Sequence, residues 1–204
     1  MPETGAMTNL AAALAALSAW EATAVLLGIA YLLLAMRESL YCWYAAFVST
    51  AIFLVLFWDV GLLMESALQV YYLTMAVYGW WHWQQSRTGQ QALAICSWRP
   101  RQHLLAIGSV LLVSALSGSL LQRSSSAALP YLDSFTTWGS ILTTWMVARK
   151  ILENWLYWLV IDSVSIYLYL DRALYLTALL FVLYLVIVVF GYFQWLRHYR
   201  TQSS

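Results

Sequence analysis

Seven apolar stretches, each separated from the next by a short polar joint, dominate this chain. They cover roughly 18–36, 40–57, 63–83, 103–121, 133–148, 154–170 and 174–195. A helix of about 20 apolar residues crosses the hydrocarbon core of a bilayer. Six of the runs are about that long, at 17 to 22 residues, and the fifth is shorter at 16. Strands of a membrane barrel would instead alternate apolar and polar residues in segments of roughly 10. Only 9% of the residues are charged and 63% are hydrophobic, with a mean hydropathy of +0.71. A soluble domain carries about 25% charged residues, so this chain has too few to cover a surface facing water. The expected fold is an all-α polytopic membrane protein with seven transmembrane helices.

The net charge of +1 says nothing about partners. No Lys/Arg cluster alternates with aromatics outside the apolar runs, which argues against nucleic acid. Cys42 and Cys96 lack metal-ligand spacing and are expected to be inert packing residues. No metal and no cofactor is expected. The opening "MPETGAM" lacks the basic region of a signal peptide, and Met7 is the expected natural start. Residues 10–17, "LAAALAAL", extend the first span or lie on the interface.

The charges give an orientation. Arg37, Arg87, Arg99, Arg101, Arg149, Lys150, Arg197 and Arg200 follow the odd-numbered spans, and only Arg123 and Arg172 fall on the other side. Cytoplasmic loops carry the excess of Lys and Arg. The N-terminus is therefore expected outside, in the periplasm, and the C-terminus in the cytoplasm. No loop is large enough to form a catalytic domain, and no H-E-x-x-H, G-x-S-x-G or P-loop occurs, so an enzyme is not expected.

The chain also repeats itself. Moved by 112 residues, segment 37–83 falls on 149–195 and matches Arg37 to Arg149, Trp43 to Trp155, Asp59 to Asp171, Tyr72 to Tyr184, Gly79 to Gly191 and Trp83 to Trp195. Upstream, Glu21 falls on Asp133. Shared apolar composition does not align such residues. Residues 18–83 and 133–195 thus read as two three-helix repeats, with 84–132 supplying a loop and a linking helix and 196–204 a cytoplasmic tail. A single linking helix restores the chain direction, so the repeats are expected to be parallel. Internal repeats of this kind mark transporters, with substrate near the midplane between the halves.

Ionisable residues inside a membrane are costly and mark functional sites by default. Asp162 is the clearest. At 100° per residue, Trp155, Trp158, Asp162, Ser165 and Tyr169 fall within about 80° of one another. Two indoles, a carboxylate, a hydroxyl and a phenol on one face suit a flat cation. Against this, the tryptophans could be interfacial anchors and Asp162 could pair with an arginine. On the third span Gln69 shares a face with Glu65 and with Tyr72, where an interhelical hydrogen bond and a ligand contact are equally open. Asp133 and Trp138 open the short fifth span after Pro130, and Asp133 could simply favour a helix N-terminus. That span carries Thr136, Thr137, Ser140, Thr143 and Thr144, a polarity that calls for protein or a wet cavity as neighbour. Gly79 and Gly191 are expected to allow close packing, and His82 to be structural rather than a proton relay.

Two segments carry a family resemblance: "LQVYYLTMAVYGWWHW" at 68–83, and 132–195, which contains "ARKILENWLYWLVID" and ends in "GYFQW". Over spans two to seven the chain resembles the PnuC vitamin transporters. The resemblance implies a three-plus-one-plus-three fold like that of the sugar-transporting SWEET proteins, a homotrimer, and a bacterial inner-membrane location. It implies facilitated diffusion of a dephosphorylated vitamin that a cytosolic kinase then traps, the vitamins being nicotinamide riboside, thiamine and riboflavin. The substrate-binding set it implies is Trp155, Trp158, Asp162 and Gln69, with Asn154, Trp138 and Tyr72 beside them. Nicotinamide riboside carriers can hold Asn where this chain has Asp162. An ionised carboxylate only accepts hydrogen bonds, which suits the aminopyrimidine and thiazolium of thiamine. Thiamine is the expected substrate and nicotinamide riboside the alternative.

Overall fold

A computed structural model describes residues 18–59, 63–88, 93–124, 129–172 and 174–202. Residues 1–17, including Met7 and the 10–17 segment, lie outside them. The described residues form seven helices: α1 Ala19–Met36, α2 Tyr41–Asp59, α3 Leu63–Thr88, α4 Pro100–Ser124, α5 Pro130–Ala148, α6 Asn154–Asp171 and α7 Tyr175–Gln202. Each coincides with one apolar run. The ends differ where polar residues continue a helix beyond its apolar stretch, as in α3 and α7. At α4 and α5 the helix starts three residues early on a proline, whose fixed φ and missing N–H suit the first helical turn. A capping box opens α1, with the Ser18 hydroxyl accepting from the Glu21 N–H at 3.1 Å and the Glu21 carboxylate accepting from the Ser18 N–H at 2.8 Å.

Four of the helices, α1, α2, α4 and α7, are long and apolar enough to cross a membrane by composition alone. The polar residues concentrate on the other three. Large apolar side chains point outward, among them Leu104, Leu105, Leu112 and Leu120 on α4 and Phe190 on α7. The interior holds tryptophans and other apolar residues together with buried polar ones such as Thr143, Asn154 and Asp162. So many large apolar side chains turned outward call for lipid as the outer solvent.

Helices α1, α2 and α3 pack in sequence, and so do α5, α6 and α7, while α4 packs on α5. Contacts between the two groups run from α3 to α5 and from α7 to α1. The third helix of each group thus meets the first helix of the other, the reciprocity of a two-fold arrangement.

The tryptophans reveal the same relation. Trp43 meets Trp83 edge-to-face at 5.4 Å, and Trp155 meets Trp195 in the same way at 5.4 Å. Gly79 and Gly191 make room for them. A Cβ on Gly79 would lie 2.3 Å from the Trp43 ring, and one on Gly191 2.6 Å from the Trp155 ring. The Trp83 indole donates to the Ala148 carbonyl and the Trp195 indole to the Ala35 carbonyl, both at 3.1 Å, so each group of three is tied to the other.

The helix ends beneath these tryptophans are equivalent too. Glu38 and Lys150 have φ of 53° and 51°, the left-handed conformation of a helix C-terminus. The Ser39 N–H reaches the Leu34 carbonyl at 2.9 Å and the Ile151 N–H reaches the Met146 carbonyl at 3.0 Å, closing the same turn in both places. The loop before α4 is pinned against the second turn. Cys96 exchanges backbone hydrogen bonds with Lys150 and Leu152, and Ser97 and Trp98 donate to the Glu153 carboxylate.

Candidate functional site

Between the two groups of helices lies a cavity of about 210 Å³. Gly28 and Tyr31 of α1, Trp43, Ala46, Ser49 and Thr50 of α2, Tyr72 and Ala76 of α3, Thr144 of α5 and Trp158 of α6 line it. Tyr31, Trp43 and Trp158 supply aromatic walls. The hydroxyls of Thr143 and Thr144 bond back to carbonyls of their own helix, Gly139 and Ser140, at 2.7 and 2.8 Å. That self-satisfaction is why so polar a helix as α5 can stand in the bundle.

Asp162 is 4% exposed on the inner face of α6. No described residue hydrogen-bonds its carboxylate or pairs with it. The hydroxyls of Tyr72, Tyr169 and Tyr184 stand within electrostatic reach of it. A buried carboxylate without a cationic partner is unfavourable alone, and an arriving cation would supply the missing charge. Ser165, one turn on, is buried on the same face.

The repeat puts this site in a new light. Gly28 and Ser140, Ala46 and Trp158, Thr50 and Asp162, and Tyr72 and Tyr184 are each 112 residues apart. Both members of the second pair line the cavity, and every pair has at least one member there or beside Asp162. The backbone is duplicated while three of the four pairs differ in chemistry.

Not every residue expected in the site lies there. Trp158 and Tyr72 line the cavity and Asp162 stands behind them, but Trp155 does not reach it. It is 1% exposed, wedged between Trp195 and Gly191, whereas its repeat partner Trp43 packs in the same way on Trp83 and Gly79 and also reaches the cavity. Asn154 is fully buried in the first turn of α6, where its amide donates to the Ile151 carbonyl at 2.7 Å. Trp138 faces away, toward α4, and donates to the Ser117 hydroxyl at 3.1 Å. Gln69 is half-buried one turn from Tyr72 and is not among the lining residues. Asp133 forms an ion pair with Arg172 at the end of the bundle opposite the tryptophans. His82 stacks on Tyr78 at 5.6 Å, a packing role. The side chain of Glu65 lies outside the described residues.

A model of the family described as "Nicotinamide mononucleotide transporter" matches residues 18–197. The chain belongs to that family. Among its relatives in the family is the nicotinamide riboside transporter PnuC of Escherichia coli, 23% identical over 209 residues that span 90% of this chain and 87% of that protein. The riboflavin/roseoflavin transporter RibM of Streptomyces davaonensis is 27% identical over 185 residues, covering 87% of this chain and 84% of the relative. A crystal structure of the vitamin B3 transporter PnuC shares the fold, with a TM-score of 0.70 at 20% identity, over 88% of this chain and 81% of that one. The chain is therefore a membrane protein of a vitamin transporter family. Neither named relative is a thiamine carrier, and the expectation of thiamine gives way to its alternative.

Tyr31, Ser49 and Tyr184 were not among the residues singled out from sequence. The repeat signal could have found Tyr184, since it pairs with Tyr72. Tyr31 carries no sequence signal that separates it from the other aromatics.

Proposed function

We propose that this protein takes up nicotinamide riboside across the bacterial inner membrane by facilitated diffusion, leaving a cytosolic kinase to trap the product. One observation carries the substrate class, a flat cationic ring: a buried carboxylate, Asp162, with no charged partner among the described residues, beside a cavity walled by Tyr31, Trp43 and Trp158. Among such rings the nicotinamide riboside relative favours the riboside over thiamine. A positively charged aromatic ring satisfies both features, by stacking and by charge pairing. The pyridinium of nicotinamide riboside is such a ring. The ligand-facing set in this reading is Asp162, Trp158 and Tyr72, with Gln69 one turn from Tyr72 and Trp155, Asn154 and Trp138 as supporting structure.

The packing of the helices supports two parallel units, 18–83 and 133–195, joined by the linking helix in 84–132, which is the three-plus-one-plus-three arrangement of SWEET proteins. In this reading the N-terminus faces the periplasm and the tail, 196–204, the cytoplasm. A homotrimer is the assembly the family resemblance implies.

Riboflavin is the second reading, favoured by the relative that carries it. Riboflavin is uncharged at neutral pH and brings no cation to Asp162, which favours the riboside. Calorimetric titration of the detergent-solubilised protein with nicotinamide riboside, riboflavin and thiamine separates the three. The proposal expects nicotinamide riboside to bind at least about tenfold more tightly than either rival. Tighter binding of riboflavin or thiamine would replace it.

A further inference from the structure

Tyr72 and Tyr184 are repeat-related, yet the residues opposite them differ. On one side the Tyr72 hydroxyl stands beside Ser140 of α5, with Tyr72 itself lining the cavity. On the other, the position equivalent to Ser140 is Gly28 of α1, which has no hydroxyl to offer. The Tyr184 oxygen instead lies 3.1 Å from the point where a Gly28 Cβ would stand, with the Ser49 oxygen 3.7 Å from the same point. Gly28 and Ser49 both line the cavity. The missing side chain at 28 is thus replaced, at the cavity wall, by a phenol from the other group of helices. The Ser49 hydroxyl donates to the Ala24 carbonyl at 2.7 Å, which leaves its lone pairs to accept.

We propose that the Tyr184 hydroxyl, reaching the cavity through the gap at Gly28, is a specificity-determining contact that reads a hydroxyl or carboxamide of the ligand. It rests on the proposed vitamin site and extends it. Tyr72 has Ser140 beside it, whereas the equivalent place beside Tyr184 is Gly28, which lets the Tyr184 oxygen come to the cavity wall near Ser49. A two-fold scaffold would otherwise present the same groups twice. The exchange of serine for glycine gives the two tyrosines different surroundings at the cavity, as an asymmetric riboside requires. Tyr184 also packs against Phe181, which in turn packs on Tyr169, so its ring is held.

The test is a titration of nicotinamide riboside into wild type, Tyr184→Phe, Gly28→Ser and the double variant, with thermal unfolding of each protein measured without ligand. Tyr184→Phe is expected to weaken binding about tenfold, the scale of one hydrogen bond lost, with the unfolding midpoint unchanged. Gly28→Ser supplies the hydroxyl that Ser140 supplies on the other side and should weaken binding by capturing Tyr184. In the double variant its effect should vanish. Binding by Tyr184→Phe within about twofold of wild type, or a Gly28→Ser penalty undiminished in the double variant, overturns the inference. If Gly28→Ser does not fold, Tyr184→Phe alone decides. A wild-type protein that binds no riboside removes the proposed function itself, and this inference with it.

Discussion

Glu38 and Lys150 form an ion pair at 2.6 Å, and they are the same position of the repeat, 112 residues apart. Residues related by a two-fold axis can touch each other only where they meet on that axis. Trp83 and Trp195, also equivalent, lie 6.4 Å apart just above, and Lys150 sits 4.9 Å from the Trp83 ring. The axis that relates the two groups of helices therefore runs through this column of contacts. Both turns use a left-handed residue where glycine is usual, because the side chain there is needed for the pair.

The pair predicts its own exchange. Both side chains are nearly buried, at 12 and 13% exposed. Removing one partner of a buried pair costs about 3 kcal/mol. Glu38→Lys and Lys150→Glu should each lower stability by that order, and together they should recover most of the loss. Thermal unfolding in detergent reads both. A double variant no more stable than the singles would contradict the axial placement.

The same pair should respond to acid. Burial raises the Glu38 carboxyl, but the hydrogen bonds and charges of Lys150 and His198 outweigh it and hold the group below its ordinary value of 4.5. A carboxyl lowered in the folded state lends stability that is complete above its unfolded value and is lost as pH falls through the folded one. The unfolding midpoint should therefore drop below about pH 4.5 in wild type, and the drop should be smaller in Glu38→Gln. Equal acid sensitivity in the two proteins would remove Glu38 as the cause.

Gly79 and Gly191 should be equally intolerant of a methyl group. An added Cβ would overlap Trp43 in one case and Trp155 in the other, at 2.3 and 2.6 Å. Overpacking costs about 1–3 kcal/mol, so Gly79→Ala and Gly191→Ala should each lower the unfolding midpoint. Gly108, with no atom near its position, is the control: Gly108→Ala should not.

Two neighbouring tryptophans should separate binding from folding. Trp158→Ala should weaken nicotinamide riboside binding at least about tenfold with stability largely kept, since the ring lines the cavity. Trp155→Ala should instead cost about 3–5 kcal/mol of stability, since the ring is buried against Trp195. Equal effects of the two on stability would erase the distinction.

Much of this was legible in the sequence. Seven runs gave seven helices among the described residues, because a membrane fixes helix length and forbids open backbone. The 112-residue shift anticipated the matched tryptophans and glycines. Helical angles placed Trp155 and Trp158 on one face with Asp162, but they could not show that Trp155 is covered by α7. Trp138 and Asp133 make contacts of another kind. Their partners, Ser117 and Arg172, come from α4 and the end of α6, and no local pattern announces either contact.

The central claim, uptake of nicotinamide riboside without an energy source, is tested most directly by flux. Purified protein in liposomes, with no ion gradient and no ATP, should let labelled nicotinamide riboside enter until the inside and outside concentrations are equal, and no further. Uptake no faster than in protein-free liposomes, or accumulation that requires a proton or sodium gradient, would contradict it.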